Sequence, residues 1–256
     1  MRFREHSIAI GILIALFSLC VASAETTAQT QEAKNRITLL AEEIPGGFLK
    51  IEGTRGVGVY PDLLYEAATA SETEIVFRFV PWGRAFQEVE RSTHFLTFPL
   101  TRLPEREARY TWLVSLDKDE IVFLTRNKPV NTLEQARKLK RILVWQGSSM
   151  EIFLTEKGFT NLISAGKTTS LVKMLARGRG DAWFTVRPEH DEVVDVDGHQ
   201  VKFVAGDIIH TESVWLVGGK SFAHSEASRR FSNTVRNLVV RGRLKALKSK
   251  YGLLKK

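Results

Sequence analysis

The stretch Ile142-Leu143-Val144-Trp145-Gln146-Gly147-Ser148-Ser149 decides the fold class. Four apolar residues in a row, bounded by small turn residues, read as a short buried strand. Met150 to about Lys157 then follows as a helix. A strand that passes through a small turn straight into a helix is the opening of a β–α unit. The junction also leaves the first amide hydrogens of the helix without backbone acceptors, which makes it a ready anion site. Ser148 and Ser149 are therefore candidate binding residues. A plain N-cap role is the competing and compatible reading of Ser149.

The same alternation extends in both directions. Ile37 to Leu40 is an apolar strand. Pro61 opens a helix with Leu63, Leu64, Ala67 and Ala68 on one face, since proline suits a first helical turn. Glu74 to Val80 alternates as a half-buried strand, followed by a short helix at Ala85–Glu90 and a strand at Phe95–Phe98. Ile121 to Thr125 is a strand. Asn131 and Glu134 have the spacing of a capping box that opens a helix to Leu139. Leu171 to Ala176 is a helix stopped by Gly178, Asp181–Val186 and Val214–Val217 are strands, and Ala227 to Leu247 is one basic amphipathic helix. Strands that alternate with helices predict an α/β architecture with largely parallel sheets.

The first residues have a different character. Arg2 and Arg4 precede an apolar run from Ser7 to Ala22, and Ala22-Ser23-Ala24 supplies small residues at the cleavage positions. This is the layout of a secretory signal peptide cleaved after Ala24; the run is also near the lower limit for a membrane span, so an uncleaved anchor is the competing reading, while a lipidated Cys20 is disfavoured by Leu19 before it. Cys20, the one cysteine, falls inside it, so the mature chain has neither disulfides nor thiolate chemistry. The formal charge of +8 raises nucleic acid as a partner. The excess, however, sits largely in the last stretch, including Arg241, Arg243, Lys245, Lys248 and Lys250, as the solvated face of a helix. A solvated helix face explains that excess, and an exported chain rarely meets nucleic acid, so no nucleic-acid partner is expected.

Six segments, in order, carry a family resemblance: Gly56-Val57-Gly58-Val59-Tyr60-Pro61-Asp62, Val80-Pro81-Trp82-Gly83-Arg84-Ala85, Phe98-Pro99-Leu100-Thr101-Arg102-Leu103-Pro104-Glu105-Arg106, Val144-Trp145-Gln146-Gly147-Ser148-Ser149, Gly178-Arg179-Gly180-Asp181-Ala182-Trp183, and Gly242-Arg243-Leu244 with Lys250-Tyr251-Gly252. Together the chain resembles the family-3 periplasmic solute-binding proteins of the polar amino acid ABC transporter type. The resemblance implies two Rossmann-like α/β lobes joined by two crossing strands, the type II arrangement. Lobe one would be residues 25–117 plus 213–256, lobe two the inserted 118–212, and a ligand would lie between them as they close.

It also implies roles. Arg106 would clamp a ligand carboxylate, which its planar guanidinium suits; its other reading is a surface arginine among Glu105, Glu107 and Arg109. Thr101 would offer its hydroxyl or backbone, and Ser149 its hydroxyl, to the same carboxylate; Trp82 would face the ligand's side chain, and Glu42 would lie near its polar end, the competing readings being a strand-end threonine, a core tryptophan and a solvated loop at Glu42-Glu43. One position departs from the pattern. The family's acidic partner for a ligand ammonium falls at Val186, so Glu42 or Glu189 takes that role or the ligand has no α-ammonium.

Metal-ligand spacing is absent among the six histidines, and Asp195-Val196-Asp197-Gly198 lacks most of a calcium loop and reads as a turn. No nucleophile elbow or complete dinucleotide fingerprint occurs, so no cofactor is expected. The leading expectation is a non-enzymatic binding protein that delivers a small carboxylate-bearing molecule to ABC transporter membrane subunits. The alternatives are a cyclohexadienyl dehydratase-like enzyme on the same scaffold, with Glu42 or Glu189 as its acid, and a ligand-sensing module for a membrane receptor.

Overall fold

A computed structural model describes residues 35–44, 46–187, 193–196 and 199–253. The segment expected to be a signal peptide, Cys20 and Glu189 lie outside them. In chain order the strands are β1 (Arg36–Ala41), β2 (Lys50–Glu52), β3 (Arg55–Val57), β4 (Glu74–Phe79), β5 (Phe95–Thr101), β6 (Tyr110–Thr125), β7 (Ile142–Trp145), β8 (Leu162–Ala165), β9 (Ala182–Val186), β10 (Val193–Val196), β11 (His199–Lys202), β12 (Val204–Ala205) and β13 (His210–Gly219). The helices are α1 (Val59–Ala70), α2 (Trp82–Arg91), α3 (Leu133–Arg137), α4 (Ser149–Glu156), α5 (Thr168–Ala176), α6 (Glu226–Val240) and α7 (Arg243–Lys250), with a 3-10 turn at Pro104–Arg106.

Nine strands form one continuous sheet in the order β4-β1-β5-β13-β6-β9-β7-β8, with β12 added to β6. Two parallel blocks lie at its ends: β4-β1-β5 and β9-β7-β8. The antiparallel ribbon β6–β13 joins them, paired from Tyr110↔Gly219 to Ile121↔His210 with register shifts between Val214 and Trp215 and between Leu216 and Val217. Its Gly219 end pairs with β5, and its Ile121 end with β9. Parallel strands carry helices on both faces and so read as unbroken apolar runs.

The buried side chains fall into four clusters. Around the first block, α1, α6 and α7 cover one face, where Leu63, Leu64, Phe231 and Val235 pack with Leu39, Phe77 and Phe98; Ala85 and Val89 of α2 cover the other with Leu40 and Leu100. Around the second, Met150 and Leu154 of α4 meet Ile121, Phe123 and Phe184, while Leu171 and Leu175 of α5 meet Val122, Leu124 and Leu143. Successive residues of β6 thus enter opposite cores, as strand pleating requires. Each Leu or Phe buried this way contributes about 1.5–3 kcal/mol. The polar stretches of the ribbon, Asp117 to Glu120 in β6 and His210 to Ser213 at the start of β13, run between the two pairs of clusters.

Three local expectations need correction. The capping box of α3 is displaced by one residue: Thr132 accepts from the Gln135 amide at 3.2 Å and Gln135 Oε1 accepts from the Asn131 amide at 2.7 Å. The C-terminal helix is two helices, because Gly242, at φ 79°, turns the chain between α6 and α7. The strands read at 121–125 and 214–217 are parts of β6 and β13, which are far longer.

Gly58 is the glycine that positions the future site. At φ 133° its missing Cβ leaves room for the loop before β2: a Cβ there would sit 2.7 Å from the carbonyl oxygens of both Gly47 and Phe48. Those oxygens accept the amides of Val59 and Tyr60, which fixes Phe48 against the start of α1.

Candidate functional site

A cavity of about 170 Å³ opens between the two core regions, at the C-terminal ends of β5 and β7 and beside the β6–β13 ribbon. Five of the six residues singled out in the sequence line it: Arg106, Thr101, Ser148, Ser149 and Trp82. Glu42 is not among the lining residues. Its carboxylate accepts the amide of Trp82 at 2.5 Å and so caps α2, where an anion suits the helix dipole. Burial raises the Glu42 carboxyl's pKa, while the bond from Trp82 and the nearby Lys167 work in the opposite direction.

Arg106 is buried, with 7% of its surface exposed. The turn at Pro104–Arg106 aims its guanidinium back at the end of β5. There it donates to the carbonyl of Thr101 at 3.1 Å and, across the cavity, to that of Gly147 at 3.1 Å. Both core regions are thereby tied to one side chain. Among the described residues no carboxylate forms an ion pair with it. Burial pulls its pKa below the ordinary arginine value, and Tyr110, Glu105 and Glu212 pull the other way; a guanidinium stays charged through such a shift. Two of its five N–H donors are used by the carbonyls, so three remain for a ligand.

The turn into α4 is more fully occupied than the sequence implied. Ser148 is the N-cap and accepts the amide of Glu151 at 3.3 Å. The Glu151 carboxylate reaches back to the amide of Gly147 at 2.6 Å. Of the amides expected to be free, that of Gly147 is therefore occupied; those of Ser149 and Met150 have no acceptor among the described residues.

The residue that sequence reasoning missed is Glu212, on the ribbon strand β13. It is buried, and its Oε2 accepts from Ser149 Oγ at 2.5 Å and Thr101 Oγ1 at 3.2 Å, while Oε1 lies 2.8 Å from His210 Nε2. Each hydroxyl carries one hydrogen, so donation to Glu212 leaves none for the 3.2 Å contact between Ser149 and Thr101. The two hydroxyls thus face a carboxylate of the protein itself. The signal was the polar run His210-Thr211-Glu212-Ser213 directly before an apolar strand.

The walls are aromatic. Trp82, from α2, and Trp145, at the end of β7, meet across the cavity with ring centroids 4.8 Å apart, and Trp82 also packs edge-on against Phe86 at 4.3 Å. Phe48 and Tyr60 form another side, 5.6 Å apart. Val186 lines the cavity as an apolar residue.

No protein-family model matches this sequence, and no curated protein matches it either. Solved structures do match its shape. The amino acid ABC transporter substrate-binding protein AbpA from Streptococcus pneumoniae, bound to L-arginine, superposes with TM-score 0.70 at 15% identity over 89% of this chain and 100% of that one. A histidine kinase sensor domain with similarity to periplasmic binding proteins gives TM-score 0.69 at 16% identity, covering 86% of this chain and 98% of that one. The fold is that of a two-lobed periplasmic binding protein. A third match, the GluR0 ligand-binding core from Nostoc punctiforme in complex with L-glutamate, has TM-score 0.68 at 16% identity over 84% of this chain and 98% of that one. The α/β class and two-lobed form expected from the sequence therefore hold, and β6 and β13 are the strands that cross between the lobes.

Proposed function

We propose that this chain is an exported solute-binding protein that captures a small carboxylate-bearing molecule between its lobes for ABC transporter membrane subunits. One observation carries the reading: a buried arginine with three uncommitted N–H donors lines an interlobe cavity and is bonded to a backbone carbonyl from each side. A guanidinium removed from water and lacking a carboxylate partner is costly unless a ligand supplies one. The unbonded first-turn amides of α4 support the same anion. The division of the buried clusters along β6 and β13 supports lobe boundaries near 117/118 and 212/213.

Two features favour binding over chemistry. In the Ser149–Glu212–His210 chain the carboxylate lies between hydroxyl and imidazole, whereas a nucleophilic serine needs the imidazole beside it. Glu42, one acid proposed for a dehydratase, caps α2 outside the cavity lining. No helix among the described residues is long and apolar enough to cross a membrane. A periplasmic location rests on the Arg2-to-Ala24 leader.

The test is a thermal-unfolding screen of residues 25–256 against amino acids, amines, dicarboxylates and sugar acids, repeated on Arg106→Ala. A ligand at a hundredfold over its Kd adds about 2.7 kcal/mol to stability. A carboxylate that stabilises the parent chain and not the variant is the expected result. Binding that is unchanged in the variant, or confined to ligands without a carboxylate, would sink the proposal.

A further inference from the structure

We propose that Glu212 is a charge filter: the protein's own carboxylate sits on the hydroxyls of Thr101 and Ser149, so that the cleft admits a singly charged carboxylate and turns away a dianionic head such as a phosphonate. This rests on the cleft-binding reading above and names the residue that limits the charge of what binds there.

The resemblance offers the hydroxyls of Thr101 and Ser149 to a captured carboxylate, and the structure gives both of them to Glu212. Thr101 closes β5 and Ser149 opens α4, so the two approach from opposite sides of the cavity. Both donate to the same oxygen, Oε2, at 3.2 Å and 2.5 Å. A hydroxyl has a single hydrogen to give. With those hydrogens directed at Glu212, each hydroxyl presents only lone pairs to an incoming anion.

Glu212 is buried, lines the cavity, and lies among the groups that attract anions. Its charge reaches Arg106 and works to keep the guanidinium protonated. No ion pair forms between them, so the three uncommitted donors of Arg106 remain open to one further carboxylate. The other attractor is the start of α4, which carries roughly half a positive charge. Glu151 already draws on that terminus through the amide of Gly147. A singly charged head on Arg106 therefore brings the negative charge beside it to two, and a dianionic head brings it to three. In a site shielded from water, each added like charge weakens binding.

The other neighbours leave the charge of Glu212 in place. His210 meets Oε1 through Nε2 at 2.8 Å, and its Nδ1 is buried without a partner. A charged ring would strand an N–H at Nδ1, whereas a neutral ring leaves only a lone pair there, the less costly arrangement. Arg187 also lines the cavity, but Glu120 holds it at 3.3 Å and the carbonyl of Gly206 at 2.9 Å.

The experiment compares 3-phenylpropanoate, its carboxamide 3-phenylpropanamide and 2-phenylethylphosphonate, whose shared apolar body suits the walls at Trp82, Trp145 and Phe48. The strongest carboxylate of the wider screen is measured beside its own carboxamide and phosphonate in the same way. Affinities are read by calorimetry at a pH where the phosphonate carries two charges. The proteins are residues 25–256 of the parent chain, Glu212→Gln and Glu212→Met, with circular dichroism confirming each fold and Glu212→Ala standing in for methionine if that variant does not fold. Glutamine keeps the shape without the charge, and methionine brings no new N–H. The parent chain is expected to prefer the carboxylate to the phosphonate by about tenfold or more. In both variants the carboxylate binds more tightly than in the parent, the phosphonate gains about tenfold more than the carboxylate does, and the carboxamide is nearly unchanged. A parent chain that binds phosphonate as tightly as carboxylate, a preference that survives in both variants, or an equal gain by the carboxamide overturns the filter and leaves the Arg106 reading standing. A gain confined to Glu212→Gln comes from its new amide N–H and overturns the filter as well. If no carboxylate binds the parent or either variant, both readings fall together.

Discussion

Replacing Gly58 by alanine tests how the site is built. The new Cβ falls 2.7 Å from two backbone carbonyl oxygens, and backbone cannot swing aside as a side-chain tip can. The residue also sits at φ 133°, where an L side chain is strained by roughly 1–2 kcal/mol. If the 47–48 loop retreats, the bonds from Val59 and Tyr60 are lost at about 1 kcal/mol each. Together the expected cost is about 3–4 kcal/mol, which for a chain of this size lowers Tm by roughly 10 °C. Gly53→Ala is the matched control, since Gly53 has φ 64° with nothing within 4 Å of its Cβ position. It should cost only the backbone strain, a few degrees by the same scaling. Thermal unfolding followed by circular dichroism reads both. The reasoning is refuted if Gly58→Ala melts no lower than Gly53→Ala.

Other expectations follow from single contacts. A double-mutant cycle on Trp82→Ala and Trp145→Ala should show a coupling of about 0.5–1.5 kcal/mol in unfolding free energy, because the rings meet across the cleft; strict additivity would mean the lobes do not touch there. Gly83→Ala should raise stability by about 0.4–1 kcal/mol in denaturant titration, since the site is an exposed helical position with open space around it. Hydrogen bonding from Arg109 chiefly holds the Glu90 carboxyl below its ordinary range. The stability this adds is present above the unfolded carboxyl's pKa and is lost as pH falls through the lowered folded one. Glu90→Gln should therefore flatten the acid limb of the stability profile, by at most about 1 kcal/mol for so exposed a pair; an unchanged limb would contradict the assignment.

The parts of the fold that were legible are those buried on both sides. Ile37 to Leu40 and Ile142 to Trp145 lie between helix layers, and burial on two faces leaves an apolar run that any reading detects. The ribbon strands were cut short because the middle of β6 and the start of β13 are polar: Asp117-Lys118-Asp119-Glu120 and His210-Thr211-Glu212-Ser213 bridge two cores without belonging to either. The same cause hid Glu212 and Asp119. Their place in the cavity follows from strand pairing between residues nearly a hundred positions apart, which no local pattern records. Arg106, Thr101 and Ser149 were accessible through motifs, and the structure brings them together. The sequence did not disclose that the two hydroxyls would turn toward Glu212. The α6–α7 break was hidden by unbroken amphipathic spacing, although Gly242 marked it.

The central claim is that a carboxylate-bearing molecule sits between the lobes on Arg106. A crystal structure of residues 25–256 with the strongest ligand from the screen tests this most directly. The molecule is expected between Trp82 and Trp145, with its carboxylate about 2.7–2.9 Å from guanidinium nitrogens of Arg106. A ligand bound outside this cavity, or inside it with the carboxylate turned away from Arg106, would contradict the claim.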